Sequence, residues 1–217
     1  MTIPYGLVFW GEQYISSGLA AVLFATLTFF VVIFAHFLAN ERLTEVKAIG
    51  IVASFAGLIA IFWRDLAIQN FAIGTSFLGS IAVVGSTASA ALANVVAKRY
   101  ANKIDPPVNV LVQSSICTVS LCALGFLTES SVPTHFTLLA VGMILYLGII
   151  GSALAFVGLY WLFTQTTATN TSLVNFITPI LALLLGWLVL GEVPDPSVGV
   201  GTVLILAGVY LTLKPSG

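Results

Sequence analysis

From Ser17 to Ala39 the chain reads "SGLAAVLFATLTFFVVIFAHFLA", with no Asp, Glu, Lys or Arg. An α-helix of about 17–25 such residues crosses a hydrocarbon layer of roughly 30 Å. Further runs of this kind follow. Hydrophobic residues make up 59% of the 217 positions and charged residues 7%, whereas a soluble domain carries roughly 25% charged residues. The runs are too long and unbroken for the alternating strands of a membrane barrel. The fold class is therefore all-α, a polytopic helical membrane protein.

Hydropathy places seven full spans at about 17–39, 46–63, 74–97, 108–127, 136–163, 169–190 and 197–213. Ile3 to Tyr14 is apolar but too short to cross. The amino terminus has neither the basic stretch nor the cleavage site of a signal peptide. The connections are short and hold most of the charge. Arg42, Lys47, Lys98, Arg99, Lys103 and Lys214 fall on one side and Arg64 on the other. The positive-inside bias makes the first side cytoplasmic. The chain is then a multi-pass protein of the inner or plasma membrane, with its carboxyl terminus in the cytoplasm.

Two runs end alike, "FLANERL" at Glu41 and "LVLGEVP" at Glu192. Shifting the chain by the same interval also pairs Trp10 with Trp161, Gly50 with Gly201, Val52 with Val203, Ala56 with Ala207 and Gly57 with Gly208. This is an internal repeat. Its two glutamates fall on opposite sides of the membrane, so the copies are inverted, an arrangement typical of secondary transporters with a site near the midplane. The second copy starts near Gly74. By symmetry the first begins about 77 positions before Met1, and the sequence is expected to be an amino-terminally truncated form of a ten-helix parent of roughly 295 residues.

The doubled pattern of apolar helix, glutamate, turn and Gly-spaced helix resembles the EamA-type ten-helix members of the drug/metabolite transporter superfamily. In these terms residues 1–63 are the carboxyl-terminal part of the first EamA repeat, and 74–214 are a complete second repeat. The resemblance implies uptake or export of a small metabolite or amphipathic compound. The family's proline in the middle of the ninth helix is matched by Pro179. The equivalent position in the fourth helix is Thr28, so the first half is expected to bend less easily. The family's cavity is lined partly by the first helix, which lies in the part the truncation would remove.

Polar side chains inside a span are costly in lipid and face the bundle or a wet cavity. Thr171, Asn175 and Thr178 recur at helical spacing beside Pro179 and are read as a cavity wall, the alternative being interhelical hydrogen bonds. Ala82, Ser86, Ala90, Asn94 and Lys98 form a second stripe. In it Asn94 either meets substrate or packs, and Lys98 is read as an interfacial anchor. Asn109, Gln113 and Cys117 are read as structural. Trp10 and Glu12, near the outer end of the first helical piece, and Tyr160 are further substrate-binding candidates, against aromatic anchoring and solvated polar groups at the interface. His36 is read as a partnerless interfacial residue, and Glu41 and Glu192 as water-facing groups making loop contacts. Gly148, Gly151, Ser152, Ala155 and Gly158 are read as packing devices, and Pro179 as a hinge.

No metalloprotease, nucleophile-elbow or phosphate-loop motif is present, and neither histidine has a ligand at metal spacing. The reading is of no enzyme, no cofactor, no metal and no nucleic-acid partner. The partners are a small-molecule substrate, the lipid bilayer and either a second copy or another membrane subunit. The function expected is gradient-driven transport by alternating access. The alternative is a non-transporting assembly module or an inactive fragment of such a transporter.

Overall fold

The computed structural model describes residues 2–15, 17–41, 43–63, 75–128, 137–190 and 196–213. Arg42, Arg64, Glu192 and Lys214 lie outside the described residues. In chain order the helices are α1 (Thr2–Glu12), α2 (Ser17–Ala25), α3 (Leu27–Ala39), α4 (Glu45–Ile61), α5 (Thr75–Tyr100), α6 (Pro106–Thr128) and α7 (Leu138–Tyr146). A π-helical segment (Leu147–Leu154), α8 (Ala155–Gln165), α9 (Ala168–Ser172), α10 (Val174–Leu190) and α11 (Pro196–Leu213) complete the chain. This is the polytopic helical architecture that the apolar runs predict.

Among the described residues, four stretches are long and apolar enough to cross a membrane: Leu19–Ala39, Thr75–Tyr100, Pro106–Leu127 and Leu138–Gln165. The 17-residue helices α4 and α10 reach about 26 Å at 1.5 Å per residue, close to the minimum for a span.

Three spans expected to be continuous are interrupted. The first breaks at Thr26, where both the backbone N–H and the hydroxyl turn back to the Leu23 carbonyl, at 3.1 and 2.5 Å. The expectation that Thr28 leaves this half less easily bent therefore misses a local device. A threonine hydroxyl two residues earlier competes with the helical ladder and tightens the turn without any proline. The second break is at Leu173, six residues before Pro179, where the N–H of Phe176 bonds the carbonyl of Leu173 instead of Ser172. The third is the π-helical segment, whose wider turn carries one extra residue.

Antiparallel α4 and α11 make the most extensive helix contact. Their glycines allow it, because a Cβ built on Gly57 would lie 2.6 Å from the Gly201 carbonyl oxygen and one on Gly50 2.5 Å from that of Gly208. Exchanging each residue for its repeat partner turns the Gly50–Gly208 contact into the Gly201–Gly57 contact. Ser54 donates to the Ile205 carbonyl at 3.3 Å, a contact between residues 151 apart that is its own image. The inverted repeat is thus written into the packing as a pseudo-two-fold axis. With no hydrophobic gain between helices in lipid, such close backbone approach supplies the dispersion contacts that hold them.

Elsewhere α5 joins the copies. Its Ala82 and Ser86 face α1, where the Ser86 hydroxyl donates to the Pro4 carbonyl at 2.7 Å. Farther along, Ala90, Ala91 and Val95 pack with Leu27, Val31 and Ala35 of α3 and with Ala168 of α9.

Candidate functional site

The site is organised from the end of α3. Asn40 adopts a left-handed conformation, φ 53°, and is the one non-glycine residue with positive φ among those described. The Glu41 N–H then reaches back to the Ala35 carbonyl at 3.1 Å, the six-to-one closure of a helix C-cap that Asn tolerates. This turn sends the Glu41 side chain across to the second copy. Its carboxylate accepts from the Ala168 N–H at 2.6 Å, the Thr169 N–H at 3.2 Å and the Thr169 hydroxyl at 2.8 Å. These donors open α9 and have no helical partner of their own. Glu41 therefore makes structural contacts, as expected, but it is half-buried and bonded across the repeat boundary, not turned to water.

Lys98 acts on the same connection. Its ammonium donates to the Phe163 carbonyl at 2.5 Å, in the last turn of α8, where carbonyls lack intrahelical donors and a cation is favoured. His36 is not partnerless either, since its Nδ1 lies 3.2 Å from the Glu41 carbonyl oxygen.

Above this tied connection lies a cavity of about 400 Å³. Its wall comes from both copies. Tyr5 and Val31 belong to the first, and Asn94, Phe156, Thr171, Ser172 and Asn175 are among those from the second. Among the described residues the lining includes no Asp, Glu, Lys, Arg or His. Of its polar groups, the Thr171 hydroxyl donates to the Thr167 carbonyl at 3.0 Å, Ser172 to Thr169 at 2.8 Å and Asn175 Nδ2 to Ser172 at 2.8 Å. The Ser172 carbonyl, freed by the break at Leu173, also accepts from Thr28 at 3.1 Å. Thus Thr28, standing where the family has proline, ties the first copy to the broken helix of the second. Asn94 differs, because its buried Oδ1 has no partner, a state that costs about 1–3 kcal/mol.

A second cavity, of about 840 Å³, lies beside the first and shares Tyr5 and Phe156 with it. The π-helical segment contributes to both, with Gly151 in one and Gly148 and Ser152 in the other. A Cβ on Gly148 or Gly158 would meet nothing within 4 Å. Among the described residues these glycines border open space and are not in helix contact, so the packing reading is corrected for them.

The sequence-predicted residues divide. Thr171, Asn175 and Asn94 come together at the first cavity. Thr178 is exposed, outside that lining, with its hydroxyl turned to the Val174 carbonyl at 2.9 Å, because the break at Leu173 and the start of α10 rotate it away from Thr171. Tyr160 is buried and donates to Gln113 Oε1, tethering α8 to α6. Trp10 is exposed and packs on Tyr14, and Glu12 is exposed; neither lines either of these two cavities. From α1 it is Tyr5 that enters the wall. Among the described residues, no cluster of three His, Cys, Asp or Glu could hold a metal ion.

A bundle of membrane-length helices, arranged about a pseudo-two-fold axis and enclosing a cavity between two copies, has the architecture of a membrane transport protein. The chain belongs to the EamA-like transporter family, whose model matches residues 1–63 and 77–214. It is similar to the uncharacterized transporter YoaV of Bacillus subtilis, 30% identical over 207 residues that cover 95% of this chain and 70% of the relative. An uncharacterized transporter of Archaeoglobus fulgidus is 28% identical, with 94% and 70% covered. Protein PagO of Salmonella typhimurium is 25% identical, with 97% and 68% covered. A solved crystal structure superposes with a TM-score of 0.80 at 19% identity, covering 97% of this chain and 71% of that one. That likeness speaks to the fold.

Proposed function

We propose that the protein moves a small molecule across the inner or plasma membrane by alternating access, with the cavity lined by α1 and α3 of the first copy and by α5, the π-helical segment, α8, α9 and α10 of the second as its substrate site. The observation that carries this reading is the cavity's composite wall. Residues of both inverted copies meet there, beside a helix broken at Leu173, and such discontinuous helices at a repeat interface are where transporters bind their cargo. A gradient of substrate or ion drives the cycle. Pro179 acts as the hinge of α10, since it removes one helical hydrogen bond. Glu41 and Lys98 close the cytoplasmic side by fixing the α8–α9 connection from opposite helix ends.

The test needs no knowledge of the substrate. In a background carrying Cys117→Ala and Cys122→Ala, Gly158→Cys places one thiol in open space at the cavity wall. In oriented proteoliposomes a membrane-impermeant thiol reagent is expected to label it from either face, at different rates. Labelling from neither face would remove the cavity from any transport path. Labelling from one face only would remove alternating access.

A second reading is favoured by the span Leu138–Gln165, whose apolar window has 0% of its residues buried. In it this face binds another membrane subunit or a second copy, and the chain serves in assembly. A monodisperse monomer in mild detergent that still labels from both faces would decide against it.

A further inference from the structure

Among the described residues, Tyr5 of α1 and Phe156 of α8 line both cavities. The repeat interval of 151 pairs these two with each other, and it also pairs the rings on which they stack, Phe9 and Tyr160. Tyr5 stacks on Phe9 with centroids 5.8 Å apart and planes at 22°, and Phe156 stacks on Tyr160 at 6.4 Å and 27°. One aromatic pair from each inverted copy therefore meets the boundary between the cavities. At 1.5 Å per residue Tyr5 lies about 10 Å from the last residue of α1 and Phe156 about 14 Å from the last residue of α8, so both rings stand well inside a hydrocarbon layer of roughly 30 Å.

Neither ring is wedged in place. Both residues are half-buried, and a Cβ on Gly6, next to Tyr5, or on Gly158, two residues after Phe156, would meet nothing within 4 Å. Phe156 also stands two residues past the π-helical segment, where the helical ladder changes register. The Tyr5 hydroxyl makes no hydrogen bond among the described residues, whereas that of Tyr160 is tied to Gln113. Phe163 and Phe176 show the contrary case, because at 1% and 0% exposure they are held by close-packed neighbours and cannot turn without moving them.

We propose that Tyr5 and Phe156 form a gate between the two cavities, and that the larger cavity is a second chamber on the path of the molecule held in the first. This rests on the substrate-site reading above and goes beyond it, since there the larger cavity has no role. Each copy supplies one ring, so rocking of one copy against the other parts the rings or brings them together.

Thiols placed in the two chambers test the gate. In the background carrying Cys117→Ala and Cys122→Ala, Gly158→Cys reports on the first chamber and Ser152→Cys on the second. The rate at which a membrane-impermeant thiol reagent modifies each is measured on the full chain in nanodiscs. A gate whose open state is populated at about 10% or less holds back the second chamber, so Tyr5→Ala and Phe156→Ala are each expected to raise the Ser152→Cys rate about tenfold or more. The Gly158→Cys rate is expected to stay as it was. Phe156→Trp, which enlarges one ring, is expected to slow Ser152→Cys. The paired exchange of Tyr5→Phe with Phe156→Tyr keeps two rings and is expected to leave both rates unchanged. A Ser152→Cys rate that no ring substitution moves overturns the gate. So does a rise of both reporters together in the alanine variants, which is the mark of a loosened fold. If Gly158→Cys reacts in no variant, the substrate-site reading itself fails and the gate falls with it.

Discussion

A carboxylate over the first turn of a helix satisfies donors that the helix cannot satisfy itself, and a cap of this kind is worth about 0.5–2 kcal/mol. Glu41 caps a helix that belongs to the other copy. Its loss should therefore loosen the contact between copies as well as α9. Glu41→Ala is expected to cost about 1–2 kcal/mol in reversible unfolding in detergent, with Glu41→Gln, which keeps one good acceptor, costing less. Equal stability of parent and Glu41→Ala would show that the three bonds contribute nothing. At this scale Asn94, Thr171 and Asn175 were legible from sequence because polar groups in an apolar run stand out, and their four-residue spacing assigns them to one face. Tyr5 was not legible, since an aromatic residue in a short apolar piece offers no such contrast. The contact made by Lys98 was not legible either. Its partner is a backbone carbonyl released where α8 ends, and main-chain acceptors carry no residue letter.

Among the elements, the spans were placed within a few residues by hydropathy, whereas their interruptions were not. The turn at Thr26, the break at Leu173 and the π-helical segment depend on which carbonyl each N–H selects, a choice made by side-chain hydroxyls, packing and the cavity. Glycine spacing was a truer guide, but only for one pair of helices. In α4 and α11 it marks close approach, while at Gly148 and Gly158 the same residue borders open space. The difference can be measured. Gly57→Val forces a side chain against the Gly201 carbonyl and is expected to cost about 1–3 kcal/mol. Gly125→Ala meets nothing within 4 Å, so it is expected to be neutral or to stabilise α6 by up to about 1 kcal/mol. Both are read from unfolding in the same detergent, and equal stability of the two variants would mean that the close approach is not part of the fold's strength.

On the scale of the whole molecule, two copies share one axis, which passes through the contact between Ser54 and Ile205. A cycle that opens one face and then the other must change distances away from that axis and leave those across it alone. Spin labels at Val52 and Val203, repeat partners that are both exposed, are expected to show a single distance under every condition. Labels at Leu38 and Trp161, exposed near the Glu41 end of the bundle, are expected to show two. One distance for both pairs would describe a rigid body.

The self-matching of α4 and α11 has a further result for biogenesis. Seen from either leaflet, this pair presents its glycine-to-glycine contacts in the same order, so those contacts give no preference between the two ways of threading the chain through a bilayer. Orientation must then be encoded in the connecting loops, and a set of loop charge reversals could turn the protein over while this helix pair reassembles unchanged.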